Sequence, residues 1–381
     1  MSTTTQTAQK ALFEQRWARL QAAMEEQNLD ALIVASRGVI GAFGNVFYLC
    51  GYTPLLRVSY GVLHRSGEPV LFLPSGSDQT LARQRGIIGD VRSSAEMEVV
   101  RADVSTAQSV AREVATDKPA RVGIVGLGQI VPVADYAVFQ DELKDVELVD
   151  ASGMYAGLKQ FKTAEDVERI KAAFGLAQRA YEAAPGLIGP GVRAQEVVAE
   201  LERILRSDTG TDSLVFVDSS PQWVRRNTDT VFDTGHLIMV LVEVSTSDGY
   251  FVEQGGLVSV GEPADEARKV SDACYAALKA VGEAIKPGAP VTAATDAHEQ
   301  IGRNAGLDLG LSLGHGIGVD HDLPTLYRTD ASVFQPGHVI SVHPYYWHPN
   351  KTIFGGVGDA FYVTDEGSER MGVHEYELVV V

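Results

Sequence analysis

The sequence predicts a two-domain α/β protein, an α/β domain followed by an α+β one. Three observations carry this reading. The chain has 381 residues, more than one ordinary core absorbs. Its N-terminal part alternates helical apolar stripes with short apolar runs. A strong helix start near Thr163 then opens a second part, with two long strand-like runs and further helices. The break falls near Gly157–Lys162, which gives residues 1–157 as an α/β domain and 158–381 as an α+β domain that holds the chemistry.

In the first domain, Phe13, Trp17, Leu20 and Met24 recur at helical spacing and predict an opening helix. ALIVAS (31–36) reads as a buried strand and NVFYLCGY (45–52) as a second strand ending at glycine. Tyr60–His64 and Pro69–Pro74 flank a turn, Arg65-Ser66-Gly67-Glu68, and predict a hairpin. VGIVGLG (122–128) is a further strand with a glycine exit, without the GxGxxG spacing of a dinucleotide site. In the second domain, Thr163 and Asp166 have capping-box spacing ahead of the stripe Val167, Ile170, Phe174, Ala177, Tyr181. Further helices are predicted over 194–207, 264–285 and 292–304, and glycine-rich strands fill the remainder.

Composition narrows the function. Hydrophobic residues make up 45% and charged residues 22%, a normal globular balance. A net charge of −18 argues against nucleic acid, since nothing in it neutralises a run of phosphates. No apolar run is long enough to span a bilayer, and the first fifteen residues lack the apolar core of a signal peptide. Cys50 and Cys274 are too few and too far apart for a disulfide framework. The expectation is a cytoplasmic protein acting on a small molecule, with no membrane and no nucleic-acid partner.

The chemistry concentrates between Ser312 and Pro344. Five of the nine histidines fall between His315 and His348. His315 stands between glycines in GHGIG, where the main chain comes close enough to hold an imidazole. Upstream, Glu243 and Glu253 lie on two strand-like runs joined by a Ser-Asp-Gly turn. Two carboxylates and a glycine-framed histidine are the parts of an acid–base site.

These motifs resemble, over both domains, the creatinase, aminopeptidase P and prolidase group, whose catalytic domain has the pita-bread fold. NVFYLCGY and LKQFKTAEDVERIKAA resemble its N-domain and the entry to its catalytic domain. GHGIG, FQPGHVISVHP and GVGDAFYVTDEG resemble its last three motifs in order. The resemblance implies a hydrolase, commonly a dimer in which one subunit's N-domain lends residues to the other's site. Arg57 and Tyr60 lie at that place, and a homodimer is expected. Metallopeptidases of the group hold two metal ions with two aspartates, a histidine and two glutamates. At those positions this chain has Glu243, Glu253, His315, His343 and Gly358, and it is one residue short between His315 and His321.

Two dications held close together need bridging carboxylates, and glycine supplies none. One Zn²⁺ or Fe²⁺ on Glu253, His315, His343 and Glu243 is chemically compatible with the donor types. The favoured expectation is a site with no cofactor and no metal ligands. It resembles creatinase and the ectoine hydrolases, which act on guanidine or cyclic amidine carbon–nitrogen bonds; in creatinase a glutamate stands at the position of Glu253. Creatinase also uses a histidine near the position where this chain has Trp223, so creatine itself is not the expected substrate. Glu253 then serves as base or nucleophile and His315 as acid. Glu243 and His343 complete the catalytic set, with His321, Trp223, Arg57, Tyr60 and Asp359 as substrate contacts. The alternatives are a metallohydrolase of the Xaa-Pro peptidase type, including a mononuclear variant, and a non-catalytic binding protein on the same fold.

Overall fold

A computed structural model describes residues 3–53, 57–93, 104–222, 225–226 and 228–381. The chain divides into two compact units, Met1–Lys159 and Gln160–Val381.

The first unit is built on a mixed six-stranded sheet. Its strands run, edge to edge, Val91–Ser93, Val70–Leu73, Ser59–His64, Ala31–Ser36, Arg121–Val125 and Glu147–Asp150. Ala31–Ser36 lies inside the sheet and is buried along its whole length, as a continuous apolar run requires. It pairs antiparallel with Ser59–His64 and parallel with Arg121–Val125. Helices Ser105–Ala115 and Val133–Glu142 supply Val110, Val114 and Phe139 to the core over one face. The opening helix, Thr3–Glu26, buries Phe13, Trp17, Leu20 and Met24 as its stripe predicts.

One element differs from expectation. NVFYLCGY is not a strand but part of a helix, Gly44–Cys50, capped by Gly51 at φ 67 with its N–H on the Phe47 carbonyl. Val46 through Cys50 are all buried, so no polar face marks a 3.6-residue period, and a short apolar run without one reads equally as a strand. The glycine was the available sign, as a left-handed helix cap.

The second unit opens with helix Ala164–Ala183, whose capping box forms as spaced: Asp166 N–H donates to Thr163 Oγ1 and Thr163 N–H to Asp166 Oδ2. Three sheets follow, and two of them frame the site. A four-stranded sheet centres on the antiparallel hairpin Leu237–Thr246 and Phe251–Ser259, flanked by Gly210–Ser219 and Val379–Val380. A five-stranded sheet orders Asp320–Thr325, Gly314–Gly318, Val339–Val342, Asp359–Val363 and Ser368–Arg370. Helices Asp265–Ala284 and Thr292–Ala305 pack over a core that includes Leu278, Phe334 and Tyr346. Among the described residues no helix is long and apolar enough to cross a membrane. Cys50 and Cys274 are both buried free thiols. The fold is the mixed α/β architecture expected, with the catalytic unit second.

Candidate active site

The site starts from a cross-strand pair. In the hairpin, Glu243 stands directly opposite Glu253, which places both side chains on one face. All nine residues of Phe251–Ser259 are buried, and Glu253 itself is only 4% exposed. An ionised carboxylate there costs several kcal/mol unless it is paired and hydrogen-bonded. The five-stranded sheet supplies the partners. Ser341, fully buried, donates a short hydrogen bond to Glu253 Oε2. His315 Nε2 lies 3.4 Å and His321 Nε2 3.8 Å from Oε1, and His343 Nε2 lies 3.7 Å from Oε2.

Each imidazole is aimed by what holds its other nitrogen. His315 Nδ1 is 2.9 Å from the Gly316 carbonyl, His343 Nδ1 is 2.8 Å from the Ser312 carbonyl, and His321 Nδ1 is 3.0 Å from Asp320 Oδ1. Those oxygens only accept, so each Nδ1 carries the hydrogen and each Nε2 turns toward Glu253. The glycines of GHGIG are required by close approach. A Cβ on Gly314 would collide with the Ser341 carbonyl oxygen, and one on Gly316 with the Leu323 carbonyl oxygen. His315 pairs in register with Ser341 on the neighbouring strand, so two of Glu253's partners arrive side by side. His315 and His321 stack, with ring centroids 4.4 Å apart.

The electrostatics follow from this packing. Burial pushes the Glu253 carboxyl up, but the imidazoles around it, His315 foremost, hold it below the usual carboxylate range. Burial pulls His315 down, yet the charge and hydrogen bond of Glu253 raise it to about 9. Burial, reinforced by repulsion from Glu253, raises Glu243 well above its ordinary value, while burial lowers His343. The site therefore holds a carboxylate–imidazolium pair at neutral pH, with Glu243 biased toward its protonated form and His343 toward its neutral form. Glu253, His315 and His343 are also the one group of three metal-capable residues found among the described residues, with their ligand atoms within 4.8 Å of one another.

Residues 168–381 match metallopeptidase family M24, and residues 16–159 match the creatinase/prolidase N-terminal domain. The chain belongs to metallopeptidase family M24. It is a hydrolase of that family. Its sequence is similar to the Xaa-Pro dipeptidase of Pyrococcus furiosus, at 24% identity over 96% of this chain and 100% of that protein. It is also 25% identical to an uncharacterized peptidase, YqhT, of Bacillus subtilis, over 93% of this chain and 96% of that one. Among solved structures, the prolidase of Pyrococcus horikoshii superposes with a TM-score of 0.83 at 20% identity, covering 96% of this chain and all of that one.

Within this M24 unit the five residues Glu243, Glu253, His315, His321 and His343 come together. Asp359 does not join them. Its buried carboxylate accepts from Arg370 Nε at 2.6 Å, Tyr376 Oη at 2.9 Å and the Gly372 N–H at 2.8 Å, which makes it a structural group rather than a substrate contact. Gly358 forms an isolated bridge with Gly255, two residues past Glu253. Tyr60 is a core residue of the first unit, fully buried against Phe139 with its hydroxyl donated to Asp135, so it has no polar tip to lend to a site. Arg57 lies half-buried in the loop before Ser59–His64. Trp223 lies outside the described residues. Sequence reasoning passed over Ser341 and Asp320. Ser341 lies on the strand Val339–Val342, two residues before His343, which follows the strand's end.

Proposed function

We propose that this M24 hydrolase cleaves a carbon–nitrogen bond in a small non-peptide substrate of amidine, guanidine or cyclic amide type, without requiring a metal ion. The observation that carries this is the Glu253–His315 pair. A buried carboxylate and an imidazolium lie 3.4 Å apart, and the carboxylate's other oxygen accepts from Ser341. The pair is satisfied by the protein's own donors and is already divided into base and acid.

In the reaction, Glu253 Oε1 takes a proton from water as the water attacks the electrophilic carbon, or Oε1 attacks that carbon itself and water then hydrolyses the covalent intermediate to restore the carboxylate. The C–N bond breaks, and His315 Nε2 gives its proton to the departing nitrogen. Burial first and the charge of Glu253 second raise Glu243, and a cationic amidinium beside it would offset both and favour its ionised form. His315 must hold its proton to act as acid. Its raised pKa keeps that form present up to about 9, so kcat/KM should fall above that pH. A pH–rate profile measures this, and an alkaline limb near the ordinary histidine value would contradict the pairing.

Glu253, His315 and His343, with every Nδ1 anchored, fit one ion, which would supply Lewis-acid polarisation of the scissile group. They do not fit two, for which bridging carboxylates are needed and Gly358 offers no side chain. This cluster, with the Xaa-Pro dipeptidase name of the Pyrococcus relative, favours a second reading as a mononuclear metallopeptidase. The two readings exclude each other at one atom. His315 Nδ1 is held by the Gly316 carbonyl, so Nε2 alone can carry the acid proton or bind an ion, not both. Elemental analysis of protein purified without added metal should find well under one ion per chain. Two bound Mn²⁺, Co²⁺ or Zn²⁺ ions would overturn the proposal, and one tightly held ion would establish the second reading.

A further inference from the structure

The hairpin that carries His315 and His321 turns at Val319, and Asp320 follows the turn at φ 69, a left-handed conformation that few side chains other than Asn and Asp adopt. The Asp320 side chain is only 5% exposed. Its Oδ1 accepts from the His321 backbone N–H at 2.9 Å and from the same residue's Nδ1 at 3.0 Å. The His321 ring is held between Phe251, 4.8 Å away at 26°, and His315, 4.4 Å away at 29°. Its Nε2 faces Glu253 Oε1, and its side chain, at 39%, is the most exposed of the three imidazoles at the site. A buried carboxylate, a clamped and partly exposed imidazole and a second buried carboxylate thus stand next to one another.

We infer that Asp320 is a positioning residue: it holds His321 as the Nδ1–H tautomer in one orientation, so that the Nε2 lone pair faces the reacting group beside Glu253. An orienting carboxylate of this kind sets which ring nitrogen meets the chemistry, the role that the aspartate plays in a Ser-His-Asp triad. Without it the ring can take the other tautomer and present an N–H where an acceptor is needed for water or a substrate N–H. Asp322, two residues on, does not share the task, because it pairs with Lys162 at 2.7 Å. The kinetic consequence rests on the hydrolase reading above. The tautomer does not.

Two variants separate positioning from simple closure of the turn. Asp320→Asn accepts the same φ but brings an amide that can donate to Nδ1, and Asp320→Gly accepts the φ and removes the carboxylate. In the full-length protein labelled with ¹⁵N-histidine, long-range ¹H–¹⁵N spectra distinguish the tautomers, with His321→Gln used to assign the signal. Wild type should show Nδ1–H at His321, and both variants should gain the Nε2–H form. On a substrate that wild type hydrolyses, both should lose roughly 10–10²-fold in kcat with KM little changed. The inference is overturned if wild type shows Nε2–H, if both variants keep the wild-type tautomer, or if they lose thermal stability while kcat stays unchanged. If the tautomer shifts as expected but wild type hydrolyses no carbon–nitrogen substrate, the positioning role stands and the functional proposal fails.

Discussion

Glu253→Gln should lower kcat by roughly 10²–10⁴-fold if Glu253 is a general base, and by more if it attacks the carbon itself. The fold should survive, because glutamine has nearly the same shape and its carbonyl oxygen can still accept from Ser341. The loss extends beyond one group. The charge of Glu253 is what keeps His315 protonated against burial, so removing it also deprives the site of its acid. Glu253→Gln combined with His315→Gln should therefore be little worse than Glu253→Gln alone, the non-additivity expected of groups that act as a unit. The separate roles show in the leaving group. A substrate whose nitrogen departs easily should partly rescue His315→Gln, which has lost only a proton donor, and should not rescue Glu253→Gln. Steady-state kinetics on the three variants checks this, and a Glu253→Gln enzyme turning over at the wild-type rate would refute the assignment.

The second large effect is on stability. Lys162 and Asp322 form an ion pair at 2.7 Å with side chains 3% and 0% exposed. Gly318 makes room for it, since a Cβ there would collide with Lys162 Cε. Removing one partner leaves the other charge buried, and each of Lys162→Met and Asp322→Leu should cost roughly 3–5 kcal/mol. The double variant should recover much of that loss, because a buried pair replaced by apolar groups of similar size is often near neutral. Urea unfolding of the four proteins measures both, and single losses under about 1 kcal/mol, the range of an exposed pair, would contradict the burial. Asp322 adjoins His321, so the single variants should also disturb the site.

What could be read from the sequence was what is local. The capping box of Thr163 and Asp166 forms because its two hydrogen bonds span three residues. The crowding inside GHGIG could be read from its glycines, and the hairpin pairing of Glu243 with Glu253 from the turn between them. Residues 45–50 misled because an all-round buried helix shows no period. Asp359 misled because neighbours on a strand face opposite ways, and one step beyond Gly358 its carboxylate meets Arg370 rather than the site. Tyr60 was placed by analogy, and only its burial against Phe139 and Asp135 shows it to be core. Asp320 depends on a left-handed backbone and a ring orientation that no sequence pattern encodes.

The most direct test is turnover after metal removal. Cyclic amidines, guanidines and small amides would be screened with the wild-type protein, and the best substrate assayed before and after exhaustive chelation, beside Glu253→Gln. The proposal predicts an unchanged rate after chelation and a rate lost in Glu253→Gln. Activity abolished by chelation and restored by added Mn²⁺, Co²⁺ or Zn²⁺ would contradict it.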